Sequence, residues 1–286
     1  MTLLNRPLWL EHATTDYPPL TRDLDVEVVV IGAGITGLTA AYLLKQAGKT
    51  VAVLEMNRIG YGATGYTTAK LAVGHSLVYA ALTASYDVET ARRYARSNQE
   101  AIEQVARLVS ELSIECDFER ASNYVYTESR ESVERIEREV EAARAAGVEA
   151  ELTTDTDLPY PITGAVKVAG QAQFHPWKYL SALAHAVDGD GDGSHVFESA
   201  RATRVRSGSP CVVETGQARI RAGHVIMRPS CRFSTAGSSS PRPIRPPRMR
   251  SGRPSTRARL RVGCTSVSTS RRDRCDRRPA RMAGGS

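Results

Sequence analysis

The residues best placed for chemistry in this chain are glycines. Gly32-Ala33-Gly34-Ile35-Thr36-Gly37 directly follows a β-branched apolar run and directly opens a helical pattern. Each glycine then has a use: Gly32 permits a tight turn, Gly34 lets the main chain approach a pyrophosphate, and Gly37 lets the helix pack close to the strand. The helix would begin at Ile35 and Thr36, turning its first N–H groups toward phosphate oxygens. Glu55 stands 18 residues beyond Gly37, where a carboxylate accepts hydrogen bonds from an adenosine ribose. An acid there suits a free 2′-hydroxyl, as in FAD or NAD, better than NADP. The spacing alone is weak, and its place between strand and helix gives it weight. The competing structural reading is a Rossmann-like core that holds no nucleotide.

A second loop discriminates between the two dinucleotides. After Glu55 and Met56, the run Arg58-Ile59-Gly60-Tyr61-Gly62-Ala63-Thr64-Gly65-Tyr66-Thr67-Thr68-Ala69-Lys70 is rich in glycine and hydroxyls, too polar and flexible for a helix. An NAD-dependent enzyme on the same unit leaves this loop without a purpose, so the sequence favours FAD. Other candidates carry less. His175 precedes a helix-starting proline and reads as a loop or capping residue before a catalytic one. His75 lies just past the loop and could approach a flavin ring or simply pack. Tyr124 and Tyr126 alternate on one strand and should share a face, as pocket wall or as core. No His, Cys or Asp cluster has metal-ligand spacing and no Ser-His-Asp set is visible, so no metal is expected and no catalytic residue is assigned.

The elements that must position these residues follow from periodicity. Val26–Ile31 and Thr50–Leu54 read as strands buried on both faces of a parallel sheet. Between them, Leu38, Ala41, Tyr42 and Leu44 recur at helical spacing, and Gly48 ends the helix. The result is a βαβ unit, with a right-handed crossover expected. Asp87–Leu112 predicts a long amphipathic helix, Asn123–Thr127 a strand, Glu131–Ala146 a charged helix whose outer face is simply solvated, and Ala165–Ala172 another strand. A helix from Trp177 to Val187 begins at Pro176. Short strands are expected at His195–Glu198, Thr203–Arg206, Cys211–Glu214 and His224–Met227.

Composition changes abruptly at Arg228. Residues 228–286 hold 16 Arg, no Lys, 2 Asp and no Glu, a net of +14, so residues 1–227 carry −7 of the whole-chain +7. A basic nucleic-acid or membrane-binding face is therefore not inferred for the body. With 11 Ser and 7 Pro but one Phe, one Leu, one Ile and two Val, the tail is expected to be disordered. Absence of Lys beside so many Arg and Pro suggests GC-rich DNA translated out of frame. One base restored after the Met227 codon permits Ala-Thr-x-Val-Pro-Phe-Leu-Asp-Arg-Gly-Leu-Phe-Phe-Ala, a strand entering a helix. Five cysteines without CxxC spacing suggest a reduced, cytoplasmic compartment, and no secretory or membrane-spanning apolar run is present near the N-terminus.

The GxGxxG unit together with the Arg58–Lys70 loop resembles the D-amino-acid-oxidase-like family of FAD-dependent oxidoreductases, which includes glycine and sarcosine oxidases. Gly62, Ala63 and Thr64 match that family's Gly-Ala-Ser/Thr, and Arg58 its basic residue near the adenosine. The resemblance implies that the loop, with Thr67 and Thr68, runs along the FAD pyrophosphate and ribityl chain. It also makes Ala202 a strand residue whose backbone brackets the adenine. Gly65-Tyr66-Thr67-Thr68-Ala69-Lys70, Tyr17-Pro18-Pro19-Leu20 and Gln173-Phe174-His175-Pro176 look closest to a bacterial subgroup that appends a Rieske iron–sulfur domain. A Rieske centre needs histidines, and the tail has none. The resemblance covers roughly residues 5–227.

The fold class implied is α/β: a Rossmann-like FAD-binding domain (25–85 and 165–227) after a lead-in (1–24), an incomplete α+β substrate domain (86–164), and the disordered basic tail (228–286). The function implied is hydride transfer to flavin from a C–H donor such as an amine, on a small-molecule substrate, impaired where sheet partners are missing. The alternative is a non-enzymatic FAD- or nucleotide-binding module whose basic arm binds nucleic acid. Oligomeric state is left open.

Overall fold

The computed structural model describes residues 7–11, 13–189 and 191–227, and the backbone of 264–267. The expected βαβ unit is present: β1 (Leu24–Ile31), α1 (Ile35–Gln46) and β2 (Val51–Leu54), with the two strands parallel. Val28 to Ile31 and all of β2 are buried, as their uninterrupted apolar runs require. There follow β3 (Lys70–Leu71), α2 (Val78–Ser85), α3 (Val88–Glu111), β4 (Glu119–Thr127), α4 (Val133–Ala145), β5 (Ala150–Thr153), β6 (Gly164–Gln173) and α5 (Pro176–Asp188). The chain then continues through β7 (His195–Phe197), β8 (Arg204–Arg206), β9 (Cys211–Glu214) and β10 (Arg219–Met227), with β11 at Cys264–Val267.

Two sheets result. The first has the order β7-β2-β1-β10-β9-β8, parallel from β7 to β10 and antiparallel beyond. One face is packed by α1 and α5, where Leu38, Tyr42, Leu180 and Leu183 meet Val28, Val30, Val51 and Val53. The other face buries Val29, Ile31, Ala52 and Leu54 beneath Leu20, Ala200 and Ala202. Lys45 locks the two helices together by donating from Nζ to the Ala186 and Val187 carbonyls at 2.9 and 2.8 Å, partners for the free acceptors at the end of α5.

In the second sheet, β4 and β6 pair antiparallel along their length, with β5 and β3 on the other edge of β6 and β11 on the other edge of β4. Helices α2, α3 and α4 cover one face through Ala95, Ile102, Ile136 and Val140 against Val125, Val166 and Val168. The boundaries expected at 85/86 and 164/165 therefore cut through this sheet. β3 and β6 pair inside it and α2 packs on α3 and α4, because the antiparallel ladder of β6 runs with β4.

Three further expectations need correction. The Arg58–Lys70 loop contains a single 3-10 turn, Ala63–Tyr66. Ala202 precedes β8 instead of lying in a strand. In the tail, Cys264–Val267 forms β11, antiparallel on β4, where an open edge offers unpaired main-chain groups to any extended segment. The remainder of the expected disorder lies outside the described residues.

Candidate functional site

The two glycine loops face one another at the carboxyl ends of β1 and β2. Gly32 turns out of β1 with φ +107°, a conformation that glycine adopts without strain and residues with a Cβ do not, and its N–H donates to the Leu54 carbonyl at 2.8 Å. A Cβ on Gly37 would collide with the Gly32 carbonyl, so the first turn of α1 closes over the strand only because residue 37 is glycine. Gly34 occupies the N-cap of α1, and no side chain caps that end. The first-turn N–H groups at Ile35, Thr36 and Gly37 therefore look outward from a helix N-terminus, where partial positive charge collects.

Gly34 also marks where the loops meet. A Cβ there would lie 3.2 Å from Thr64 Oγ1, the side chain at the centre of the second loop. Glu55 joins both loops to the sheet: its Oε2 accepts the Ala33 N–H at 3.0 Å and its Oε1 the Asn57 N–H at 3.0 Å. Met56 and Arg58 are exposed just beyond it. The second loop is held by its own short turns, Tyr61 N–H to Arg58 carbonyl, Gly65 N–H to Gly62 carbonyl and Thr67 N–H to Thr64 carbonyl. Gly62, Ala63 and Thr68 are exposed, with Thr64 and Thr67 half-buried. Ala69 ends the loop at φ +61°, an uncommon conformation for a residue with a Cβ.

The segment leading to Ala202 reaches the same region through the backbone. Ser199 N–H donates to the Asn57 carbonyl and Ala200 N–H to the Glu55 carbonyl, at 2.9 and 2.8 Å, which ties the segment before β8 to the Glu55–Asn57 backbone. Thirteen of the fourteen sequence-derived candidates thus lie along one rim, formed by the two loops and the Glu55–Arg58 turn, while Ala202 follows the tied segment by two residues and is buried in the cluster of Val29, Ile31 and Leu54.

A dinucleotide fits this rim on the structure's own terms. The glycines leave open main chain where side chains would stand, with nothing within 4 Å of a Cβ built on Gly32 or Gly62. The uncapped α1 terminus supplies donors for phosphate, and Glu55 supplies a fixed acceptor beside them.

The other candidates lie elsewhere. His175 caps α5, its Nδ1 accepting the Lys178 N–H at 3.4 Å. Burial first, and the Lys178 charge second, hold its pKa below the usual histidine value, which keeps the ring a neutral acceptor. His75 sits against Tyr94, whose phenol oxygen is 3.3 Å from both ring nitrogens. Tyr124 and Tyr126 do share a face, in a small cluster with Ala165, and Tyr126 hydrogen-bonds the Tyr160 hydroxyl at 2.7 Å. A groove of ≈ 890 Å³ on the helix-covered side of the second sheet, bordered by Arg92, Arg96, Arg120 and Gln171, contains none of the site candidates. No group of His, Cys, Asp or Glu suited to a metal occurs among the described residues.

Sequence reasoning missed two buried carboxylates, Glu139 of α4 and, beside the loops, Glu198. Glu198, 4% exposed at the end of β7, accepts the Ile59 N–H at 2.7 Å and the Thr15 hydroxyl, tying the second loop to the sheet edge. Its only local signal is an acid ending an apolar strand.

Comparison with known proteins agrees with this geometry. The family described as DAO, FAD dependent oxidoreductase, matches residues 27–250, so the match continues into the Arg-rich segment past the end placed at Met227. Over 211 residues the chain is 33% identical to YhfW of Bacillus subtilis, by name a Rieske 2Fe-2S iron–sulfur protein, covering 73% of this chain and 41% of YhfW. It is 28% identical to gamma-glutamylputrescine oxidoreductase of Escherichia coli, covering 74% of this chain and 50% of that enzyme. The chain therefore spans about half the length of the curated relatives it matches. Among solved structures, glycine oxidase from Geobacillus kaustophilus superposes with TM-score 0.53 at 19% identity, over 71% of this chain and 55% of that one. L-amino acid deaminase from Proteus myxofaciens superposes with TM-score 0.60 at 13% identity, over 75% and 48%. These two likenesses establish the shared fold.

Proposed function

Because this chain belongs to the DAO family of FAD-dependent oxidoreductases, we propose that the rim described above holds FAD and serves the oxidation of a small amine or amino acid. The observation that carries the reading is the apposition of Gly34 and Thr64 at the uncapped end of α1. Ile35, Thr36 and Gly37 would offer main-chain donors to the pyrophosphate. Glu55 would accept from the adenosine ribose, with Met56 and Arg58 beside the adenosine and the Ala202 backbone against the adenine. Gly62, Ala63 and Thr64 would follow the pyrophosphate, and Thr67 and Thr68 the ribityl chain. When bound, FAD supplies the hydride acceptor for a C–H bond beside an amine nitrogen.

The amine class is supported by the name of gamma-glutamylputrescine oxidoreductase and by the glycine oxidase and L-amino acid deaminase among the structural neighbours. Residues 24–54 and 195–227, with α1 and α5, form the proposed FAD-binding unit, and the second sheet the proposed substrate unit. The cytoplasm is the proposed compartment: Cys116 and Cys211 are free thiols, and no helix among the described residues is long and apolar enough to cross a membrane.

Competition titration tests the reading. FAD added to the purified chain should lose fluorescence saturably, and excess NAD should leave that curve unmoved. Displacement by NAD at comparable concentration would overturn the assignment to FAD.

A further inference from the structure

We infer that the N-terminal segment carrying Trp9, Leu10 and Thr15 is a brace that holds the Arg58–Thr67 loop in its cofactor-ready shape. The inference rests on the FAD reading for its purpose, while the brace itself is a matter of contacts. Within itself the loop is held only by short turns, the 3-10 turn at Ala63–Tyr66 and the Arg58–Tyr61 turn among them. Left unsupported, such a segment would have to be ordered by whatever binds it, at the expense of affinity.

Three ties prevent this, and all come from outside the loop. Trp9 Nε1 donates to the Thr67 carbonyl at 2.7 Å, and its ring meets the His175 ring edge-on at 5.1 Å, linking the loop's end to the cap of α5. Leu10, 6% exposed, presses on the middle of the loop: a Cβ on Gly65 would fall 2.7 Å from Leu10 Cδ1, and one on Gly60 3.6 Å from Cδ2. Thr15 donates to Glu198, which also accepts the Ile59 N–H at 2.7 Å and so fixes the loop's start. The ties fall at Ile59, at Gly60 and Gly65, and at Thr67. They leave Gly62, Ala63 and Thr64 untouched, the stretch proposed to meet the pyrophosphate. Trp9, Leu10 and Thr15 are accordingly positioning residues, acting through the loop.

The test uses the full chain with Trp9→Phe, which keeps a ring and deletes the N–H, and Thr15→Val, which deletes the hydroxyl at nearly constant shape. Two readouts are taken: the rate of tryptic cleavage after Arg58 without FAD, with cleavage after Arg107 in α3 as reference, and the FAD dissociation constant from fluorescence quenching. Each variant should raise both the Arg58 cleavage rate and the dissociation constant by about 3–10-fold, the span expected for one lost hydrogen bond, while Arg107 cleavage stays unchanged. Unchanged Arg58 cleavage, or equal acceleration at Arg58 and Arg107, overturns the brace. Selective acceleration at Arg58 without any change in FAD affinity overturns its cofactor role. If the unaltered chain takes up no FAD, the functional reading fails, and the brace stands or falls on Arg58 cleavage alone. Should one variant fail to fold, the other probes an independent tie.

Discussion

Gly34 and Gly37 sit three residues apart in one motif, yet substitution should affect them in opposite ways. Gly37→Ala drives a Cβ into the Gly32 carbonyl, so strand and helix must separate, and we expect a loss of about 1–3 kcal/mol, the usual cost of overpacking, read from the urea midpoint. Gly34→Ala meets Thr64 Oγ1 at 3.2 Å, a contact a small shift can relieve. It should leave the midpoint in place and lower FAD affinity by filling the space proposed for the pyrophosphate. Glu55→Gln should weaken FAD about tenfold or more in the same titration, since one amide oxygen cannot replace two carboxylate acceptors and a charge. These residues were legible in the sequence because their signals are local: spacing within six residues, and an acid 18 residues past Gly37 where the second strand of the same unit ends. Glu198, Trp9 and Thr15 were not, since each acts through a contact far away in the chain, Glu198 with Ile59 for instance, and no periodicity announces such a partner.

At the level of elements, most periodic and apolar signals succeeded, the short strands β7, β8 and β9 among them, and a few elements went unread. α3 runs Val88–Glu111 with Asp87 as its N-cap, its carboxylate accepting the Thr90 N–H at 2.6 Å, almost the span that its apolar stripe predicts. α2 went unread: Val78-Tyr79-Ala80-Ala81-Leu82-Thr83-Ala84-Ser85 has only Thr83 and Ser85 as polar residues, so no polar face sets a period, and it packs on α3 and α4 with Tyr79 buried. Its start depends on Glu139 of α4, whose two carboxylate oxygens accept the Tyr79 and Ala80 N–H groups at 2.8 Å each. Glu139→Ala should strand those donors at a cost of about 1–3 kcal/mol apiece, with faster hydrogen exchange confined to the amides of α2. β5 and the first half of β10 were also missed, the latter because Arg219 and Arg221 alternate with Ile220 and Ala222, giving the half-exposed pattern of a strand that turns one face to solvent.

Across the whole molecule, buried phenols set an alkaline limit on stability. Burial is the main cause that pushes Tyr17 up to about 12, and it raises Tyr79 and Tyr179 as well, whereas the same groups in the unfolded chain ionise near about 10. A group whose folded pKa is raised contributes stability that is complete below the unfolded value and is lost as pH climbs through the folded one. The urea midpoint should therefore fall between about pH 10 and 12, and Tyr79→Phe should flatten that fall while lowering the neutral-pH midpoint, because the Val73 carbonyl loses its 2.6 Å partner. The division into two sheets was partly legible: the parallel βαβ core stood out, but the assignment of β6 to the second sheet depended on an antiparallel partner about forty residues earlier in sequence. The out-of-frame reading of residues 228–286 belongs to this scale too and is settled by resequencing the gene across the Met227 codon.

The account turns on FAD, so the most direct measurement is the visible spectrum of the full chain after incubation with FAD and removal of free cofactor. The account predicts protein-bound flavin bands near roughly 375 and 450 nm, reduced in Glu55→Gln. A colourless protein that also leaves FAD fluorescence unquenched throughout a titration would contradict it.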